Sequence, residues 1–219
     1  METEFKYRLE DPEIFDEIVR DESINKMGED AVESIDMHAA YFDTLEQDFR
    51  SKGIAYRIRR EDDRYTATIK WDVNVEEGLH VREEFNLVVN DERFAENPDI
   101  ELFRSSDAYE VLYEAAGKKR LVKTISMDYT RKQIKVDTGK SISCISLDQG
   151  MIHHIDGHGV PVCELEIEWY YGDEDDFKLL AASIQSKYNL QAESKSKLQR
   201  ALEGAGDEAE ETQDAADAE

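Results

Sequence analysis

Apolar and polar residues alternate over several short stretches of the chain. On a strand such alternation puts a residue and its second neighbour on one face, about 6.5–7 Å apart. Thr3–Leu9, Ser34–Thr44, Gly53–Glu61, Arg64–Trp71 and Leu79–Val88 alternate in this way. Asp62-Asp63 reads as a hairpin turn between the third and fourth of these. Thr124–Asp137, Ser141–Leu147 and Pro161–Tyr171 alternate again. Helical spacing is confined to three stretches. Pro12–Val19 begins with Asp11 as an N-cap and Pro12 at the first helical position. Asp107–Ala116 stops at Gly117, a residue suited to a C-cap. Asp173–Lys187 closes the patterned part. From Gly204 onward no apolar periodicity remains, and 203–219 is expected to be a disordered acidic tail behind one domain at 1–202.

Charge changes this picture, because it follows the alternation. Glu2, Glu4 and Lys6 share a face, with Arg57 and Arg59 aligned on a later strand and Thr66, Thr68 and Lys70 on the next. Arg82 and Glu84 align, Arg131 lies near a strand end, and Glu164, Glu166 and Glu168 share a face. For one strand, a charged face over an apolar face is an ordinary wet side of a sheet. Here the charged face recurs on at least five strands, with acids on the first and last and bases between. Three glutamates at alternate positions also repel one another unless a cation sits among them. An α+β fold built on a closed antiparallel β-barrel of about eight strands resolves all three points. Its charged faces point inward and its apolar faces outward beneath helices, and a barrel of that size holds one small ligand. Clustered carboxylates suit Mg²⁺ or Mn²⁺. Clustered Arg and Lys suit phosphate oxygens. The interior therefore reads as a site for a metal-bound polyphosphate.

Composition narrows the function classes. The chain has 219 residues and a formal net charge of −25, and its acidity is not confined to the seven acids of residues 204–219. Such a surface repels nucleic acid. No apolar run approaches the roughly 20 residues of a membrane-spanning helix. The acidic start Met1-Glu2-Thr3-Glu4 does not resemble a signal peptide. Cys144 and Cys163 lack metal-ligand spacing and are expected to be reduced thiols, which points to the cytoplasm.

The string Glu2-x-Glu4-x-Lys6 resembles the signature of the CYTH superfamily, the triphosphate tunnel metalloenzymes. It is followed in order by YFDT (41–44), YRIRRE (56–61), TATIK (66–70), GLHVREEFN (78–86), SLDQG (146–150), PVCELEIE (161–168) and SKLQR (196–200). GLHVREEFN, SLDQG and PVCELEIE look most like the bacterial inorganic triphosphatase branch. Members of that branch often continue into a helical CHAD domain, where this sequence has its acidic tail.

The resemblance implies metal-dependent hydrolysis of a triphosphate, foremost inorganic tripolyphosphate to pyrophosphate and phosphate. A class IV-type adenylate cyclase, a nucleoside or thiamine triphosphatase and a non-enzymatic polyphosphate-binding module are the alternatives. The partner is a small triphosphate rather than nucleic acid or membrane, acting on a monomer or homodimer. By the same resemblance Glu2, Glu4, Glu164, Glu166 and Glu168 hold the metal. Lys6, Arg57, Arg59, Lys70, Arg82 and Arg131 hold phosphate oxygens, and Lys197 and Arg200 close over the tunnel. Glu84 orients a base or binds a second metal. Asp148 does the same or starts an Asp-Gln-Gly turn. Glu2, Glu4, Lys6, Glu84 and Lys197 form the catalytic set. His153, His154 and His158 read as a hairpin loop, and Trp71 and Trp169 as outer packing.

Overall fold

The computed structural model describes residues 2–28, 31–76, 79–90, 97–155 and 157–202, with backbone alone for 72–76 and 79–82. The expected tail, 203–219, lies outside the described residues. The strands are β1 (Glu2–Arg8), β2 (Glu33–Asp43), β3 (Ile54–Glu61), β4 (Arg64–Glu76), β5 (Leu79–Val89), β6 (Val122–Asp137), β7 (Ser141–His154), β8 (Gly159–Gly172) and β9 (Gln191–Ala192). The helices are α1 (Glu13–Arg20), α2 (Glu22–Asn25), α3 (Asp48–Ser51), α4 (Ala108–Ala116) and α5 (Glu174–Tyr188), with a 3₁₀ turn at Ile100–Phe103 and a helical segment at 197–202.

The sheet runs β5-β4-β3-β2-β6-β7-β8-β1, and β1 also pairs with β5, so eight antiparallel strands form a ring. Glu2–Phe5 of β1 join β5, and Tyr7 and Arg8 pair with β9. β6 and β7 approach closely at Gly150, which lies opposite Tyr129. A Cβ there would stand 2.2 Å from the Asp128 carbonyl oxygen and 2.4 Å from Tyr129 Cα.

Two apolar layers dress the outside. Phe15 and Ile18 of α1 and Phe177, Ala181 and Ile184 of α5 pack on Tyr7, Ile134, Ile145, Leu165 and Ile167. Phe49, Phe103 and Leu112 pack on Phe42, Tyr56, Ile58, Ala67 and Ile69. A third, inward cluster joins Met37, Ala39, Ile125, Met127 and Ile152 to Ala201 of the 197–202 helix, filling part of the interior.

Local signals account for the helix ends. Asp11 accepts the Glu13 amide at 2.8 Å, while Pro12 takes the N-cap position, so α1 starts one residue later than expected. Asp173 caps α5 through the amides of Asp175 and Asp176, and Gly117 ends α4 at φ +60°. Asp62 takes φ +50° in the β3–β4 turn. The Asp-Gln-Gly turn at 148–150 is a correction: β7 runs unbroken through these residues, because both neighbours hold it in register. Among the described residues no helix is long and apolar enough to cross a membrane.

Candidate active site

The inward faces of the ring converge on a cavity of about 360 Å³. Its wall carries Glu2, Glu4 and Lys6 of β1, Arg57 and Arg59 of β3, Lys70 of β4, Glu84 of β5, Arg131 of β6, and Glu166 and Glu168 of β8. Lys197 enters from the start of the last helical segment. Asp148, Glu164 and Arg200 do not line this cavity. Arg82 lies opposite Glu2 in the β1–β5 ladder, but its side chain is outside the described residues.

One side of the wall is a dense ion network in which each acid lies beside two or more cations. Glu166 accepts from Arg131 Nη2 at 2.6 Å and from Lys197 Nζ at 2.8 Å, with Lys6 Nζ 3.5 Å away. Asp148 takes Nε and Nη2 of Arg131 at 2.6 and 2.7 Å, and Lys197 at 2.8 Å. Glu164 lies 2.7 Å from Lys197 and pairs with Arg200. Asp148 and Glu164 are fully buried. Burial alone would raise these acids. The surrounding cations overcome it, holding Glu166 well below the carboxylate range and Asp148 below it. Burial likewise opposes the charge on Arg131 and Lys197, yet the same carboxylates raise both cations. Asp148 and Glu164, expected as metal ligands, are thus engaged behind the wall in fixing Arg131, Lys197 and Arg200.

The other side has too many acids. Lys70 Nζ stands 2.6 Å from Glu2 and 2.7 Å from Glu84, and Lys6 Nζ lies 3.2 Å from Glu4. Burial, then the Glu2 and Glu4 carboxylates, push Glu168 up to about 8. Burial also raises Glu2, against the pull of Lys70. Burial opposes ionisation of Glu84, but Lys70 and hydrogen bonds from Glu2, Lys70 and Asn86 bring it down to about 2. Lys70 thus stands between two neighbouring carboxylates whose proton affinities are pushed in opposite directions.

Glu2, Glu4 and Glu168 present the hard oxygen donors that a divalent cation takes, and their mutual repulsion is what such a cation relieves. Among the described residues no three such donors already stand around a common point. Glu2 and Glu4 lean on Lys70 and Lys6, so a bound cation would draw them off those lysines. Arg57 and Arg59 each bury an Nε with no hydrogen-bond partner. A buried guanidinium N–H left unpaired is costly, and an anionic oxygen is its natural acceptor.

The sequence reading missed Tyr41, Tyr129, Tyr170, Met37, Met127 and Asn86 on the wall. Strand parity could have found them. Tyr129 and Met127 share a face with Arg131, and Asn86 shares one with Glu84. Their uncharged side chains read as core. A second cavity of about 610 Å³ meets the first at Tyr41, Arg57, Lys70 and Ser196. Phe42, Ile54, Trp71, Ile125, Leu198 and Leu202 line it, with Arg50 and Lys123 among its charged residues. Trp71, expected as outer packing, borders this space as well as the outer apolar layer.

Solved structures share this architecture. An adenylyl-cyclase-like protein from Hippeastrum, described as having a dominant triphosphatase activity, superposes with a TM-score of 0.67 at 18% identity, over 90% of this chain and 93% of that one. An adenylate-cyclase-like protein from Bacillus halodurans gives 0.57 at 18%, over 91% and 96%. A Pyrococcus horikoshii protein gives 0.56 at 20%, over 93% and 99%. These likenesses establish the fold. In sequence, the chain is 28% identical over 161 residues to an inorganic triphosphatase of Haemophilus influenzae, covering 73% of this chain and 43% of that protein. The chain thus spans less than half the length of that relative. The CYTH domain model matches residues 1–202, the whole span from the first acid of the tunnel wall to the helix that carries Lys197. Fold, ordered motifs and family match agree, and the chain belongs to the CYTH family.

Proposed function

We propose that this chain hydrolyses inorganic tripolyphosphate to pyrophosphate and phosphate with Mg²⁺ or Mn²⁺ as cofactor. The observation that carries this reading is the division of one small cavity between an acid-rich wall, Glu2, Glu4 and Glu168, and two guanidinium groups, Arg57 and Arg59, each with a buried Nε that has no hydrogen-bond partner. A divalent cation held by Glu2, Glu4 and Glu168 would neutralise phosphate charge and polarise a water.

The chain's own groups do the rest. Arg57, Arg59 and Lys70 hold the phosphate oxygens and orient the chain for in-line attack. Arg131, Lys6 and Lys197 stay fixed by Glu166 and Asp148, and offer positive charge where negative charge builds on the leaving pyrophosphate. Burial of the site excludes bulk water from the reacting phosphorus. Water supplies the oxygen, the terminal P–O bond breaks, and one proton is released to solvent or to a wall carboxylate. No covalent enzyme intermediate is required.

Phosphorus NMR tests the reading directly. Tripolyphosphate with Mg²⁺ or Mn²⁺ should yield pyrophosphate and phosphate in equal amounts. Binding with no product would overturn hydrolysis and leave a polyphosphate-binding module. A second reading, an organic triphosphate, is favoured by the apolar cavity that opens at Arg57 and Lys70. An inorganic chain has no use for walls of Phe42, Ile54 and Trp71. Faster turnover of ATP or thiamine triphosphate than of tripolyphosphate, or formation of cyclic AMP, would select it.

A further inference from the structure

Outside the tunnel, the ring gathers a second set of donor groups that the proposed reaction does not use. His38 of β2 pairs directly with Asp128 of β6, and His153 of β7 lies one diagonal step from Asp128. All three alternate with wall or inner residues (Met37 and Ala39, Met127 and Tyr129, Ile152), so they stand on the outer face of three adjacent strands. Cross-strand and diagonal neighbours on one face are within reach of long side chains. The contacts bear this out. His38 Nδ1 lies 2.5 Å from Asp128 Oδ1, and His153 Nε2 lies 3.4 Å from Asp128 Oδ2.

This patch falls between the two outer apolar layers. One covers β6 and β7 from Ile134 and Ile145 onward, and the other covers β2 and β3 from Phe42 and Ile58. No residue of α1, α4 or α5 enters these contacts, and the three side chains remain 46%, 53% and 45% exposed for His38, Asp128 and His153. They are reachable from solvent. Arg60 of β3 is the ladder partner of His38 and brings a cationic residue beside the patch.

We propose that His38, Asp128 and His153 form a surface site for a borderline divalent metal of the Zn²⁺ class, separate from the acid wall of the tunnel. Two imidazoles and one carboxylate are a donor set for such metals, with open positions left for water. The tunnel carboxylates, with oxygen donors only, suit harder cations. The site is collapsed rather than preformed: the two rings rest on opposite oxygens of one carboxylate, and no three donors yet surround a point. Metal entry takes the place of those two direct contacts. Asp128 stays in the centre, and Nδ1 of His38 and Nε2 of His153 rotate in from either side. Because β2, β6 and β7 each supply one ligand, the bound metal ties three strands together. The acidity of the whole chain draws divalent cations toward it.

Zn²⁺ titration followed by imidazole ¹⁵N–¹H NMR of the full chain is the test. The resonances of His38 and His153 should shift together and saturate at one equivalent. His38→Ala and Asp128→Asn should each weaken the response of His153 at least tenfold, while tripolyphosphate turnover with Mg²⁺ stays unchanged. If the two rings respond independently, or His153 titrates equally in His38→Ala, the trio is a surface ion cluster and the inference fails. If only tunnel residues respond to Zn²⁺, it fails as well. Unchanged turnover in the variants keeps this outcome distinct from failure of the hydrolytic reading.

Discussion

The two sides of the tunnel wall carry similar residues in opposite electrostatic states. Around Glu166 each acid meets two or more cations, and Asp148 and Glu164 are buried with those partners. Around Glu168 the acids crowd one another, and Lys70 and Lys6 are shared among Glu2, Glu84 and Glu4. The difference separates architecture from chemistry. A charge-balanced ion network rigidifies the wall and positions its cations. An acid cluster with more carboxylates than cations stores repulsion that a divalent cation can relieve.

The comparison breaks most sharply at Asp148. Asp148→Ala leaves Arg131 and Lys197 buried with one counter-charge fewer, and should cost about 3–5 kcal/mol of stability in urea unfolding. An equal loss from Glu168→Ala would erase the distinction between the two sides. Glu4→Gln should behave the other way, with an intact fold and metal-dependent turnover reduced at least about a hundredfold. Steady-state kinetics over a metal series would check it. Arg57→Ala removes a guanidinium with an unpartnered buried Nε. Triphosphate affinity should fall roughly ten- to a hundredfold, the loss of a charge-assisted hydrogen bond of about 1.5–3 kcal/mol. Titration calorimetry would show it, and unchanged affinity would place Arg57 off the phosphate path.

The remaining effect is pH dependence. Glu168 in the folded chain holds its proton up to about 8, above the ordinary carboxylate value. Between roughly pH 4.5 and 8 the folded state therefore binds more protons at this residue than the unfolded state. That contribution to stability falls as pH rises through the window. Glu168→Gln should flatten the slope. Mg²⁺ or Mn²⁺ binding to the wild type at pH 7 should release protons, read as a buffer-dependent heat. Absence of that release would argue against Glu168 as a ligand.

Much of the site was legible because strand parity is strict. Glu2, Glu4, Lys6, Arg57, Arg59, Lys70 and Glu166 all reach the cavity that their alternation implied. For Arg131, with Lys132 next to it, alternation alone does not say which of the two cations turns inward. Pairing settles it, since Arg131 turns in to Asp148 while Lys132 turns out toward Asp16. Parity gives face but not depth. Glu164, Glu166 and Glu168 look equivalent along β8, yet one is sealed behind the wall, one is saturated, and one holds a raised proton affinity. The His38–Asp128–His153 contact was likewise hidden, since its members lie 90 and 25 positions apart in the chain.

By itself, then, the amino-acid order determined which residues form strands, which face of each strand is charged, and that those faces suit a metal and a polyphosphate. These are local properties, fixed by the two-residue repeat of the backbone and by side-chain chemistry. Only the closed ring decided which charges neutralise each other and which stay unrelieved. Ion-pair energies depend on distances between strands and on exclusion of water, and neither exists until β1 meets both β5 and β8.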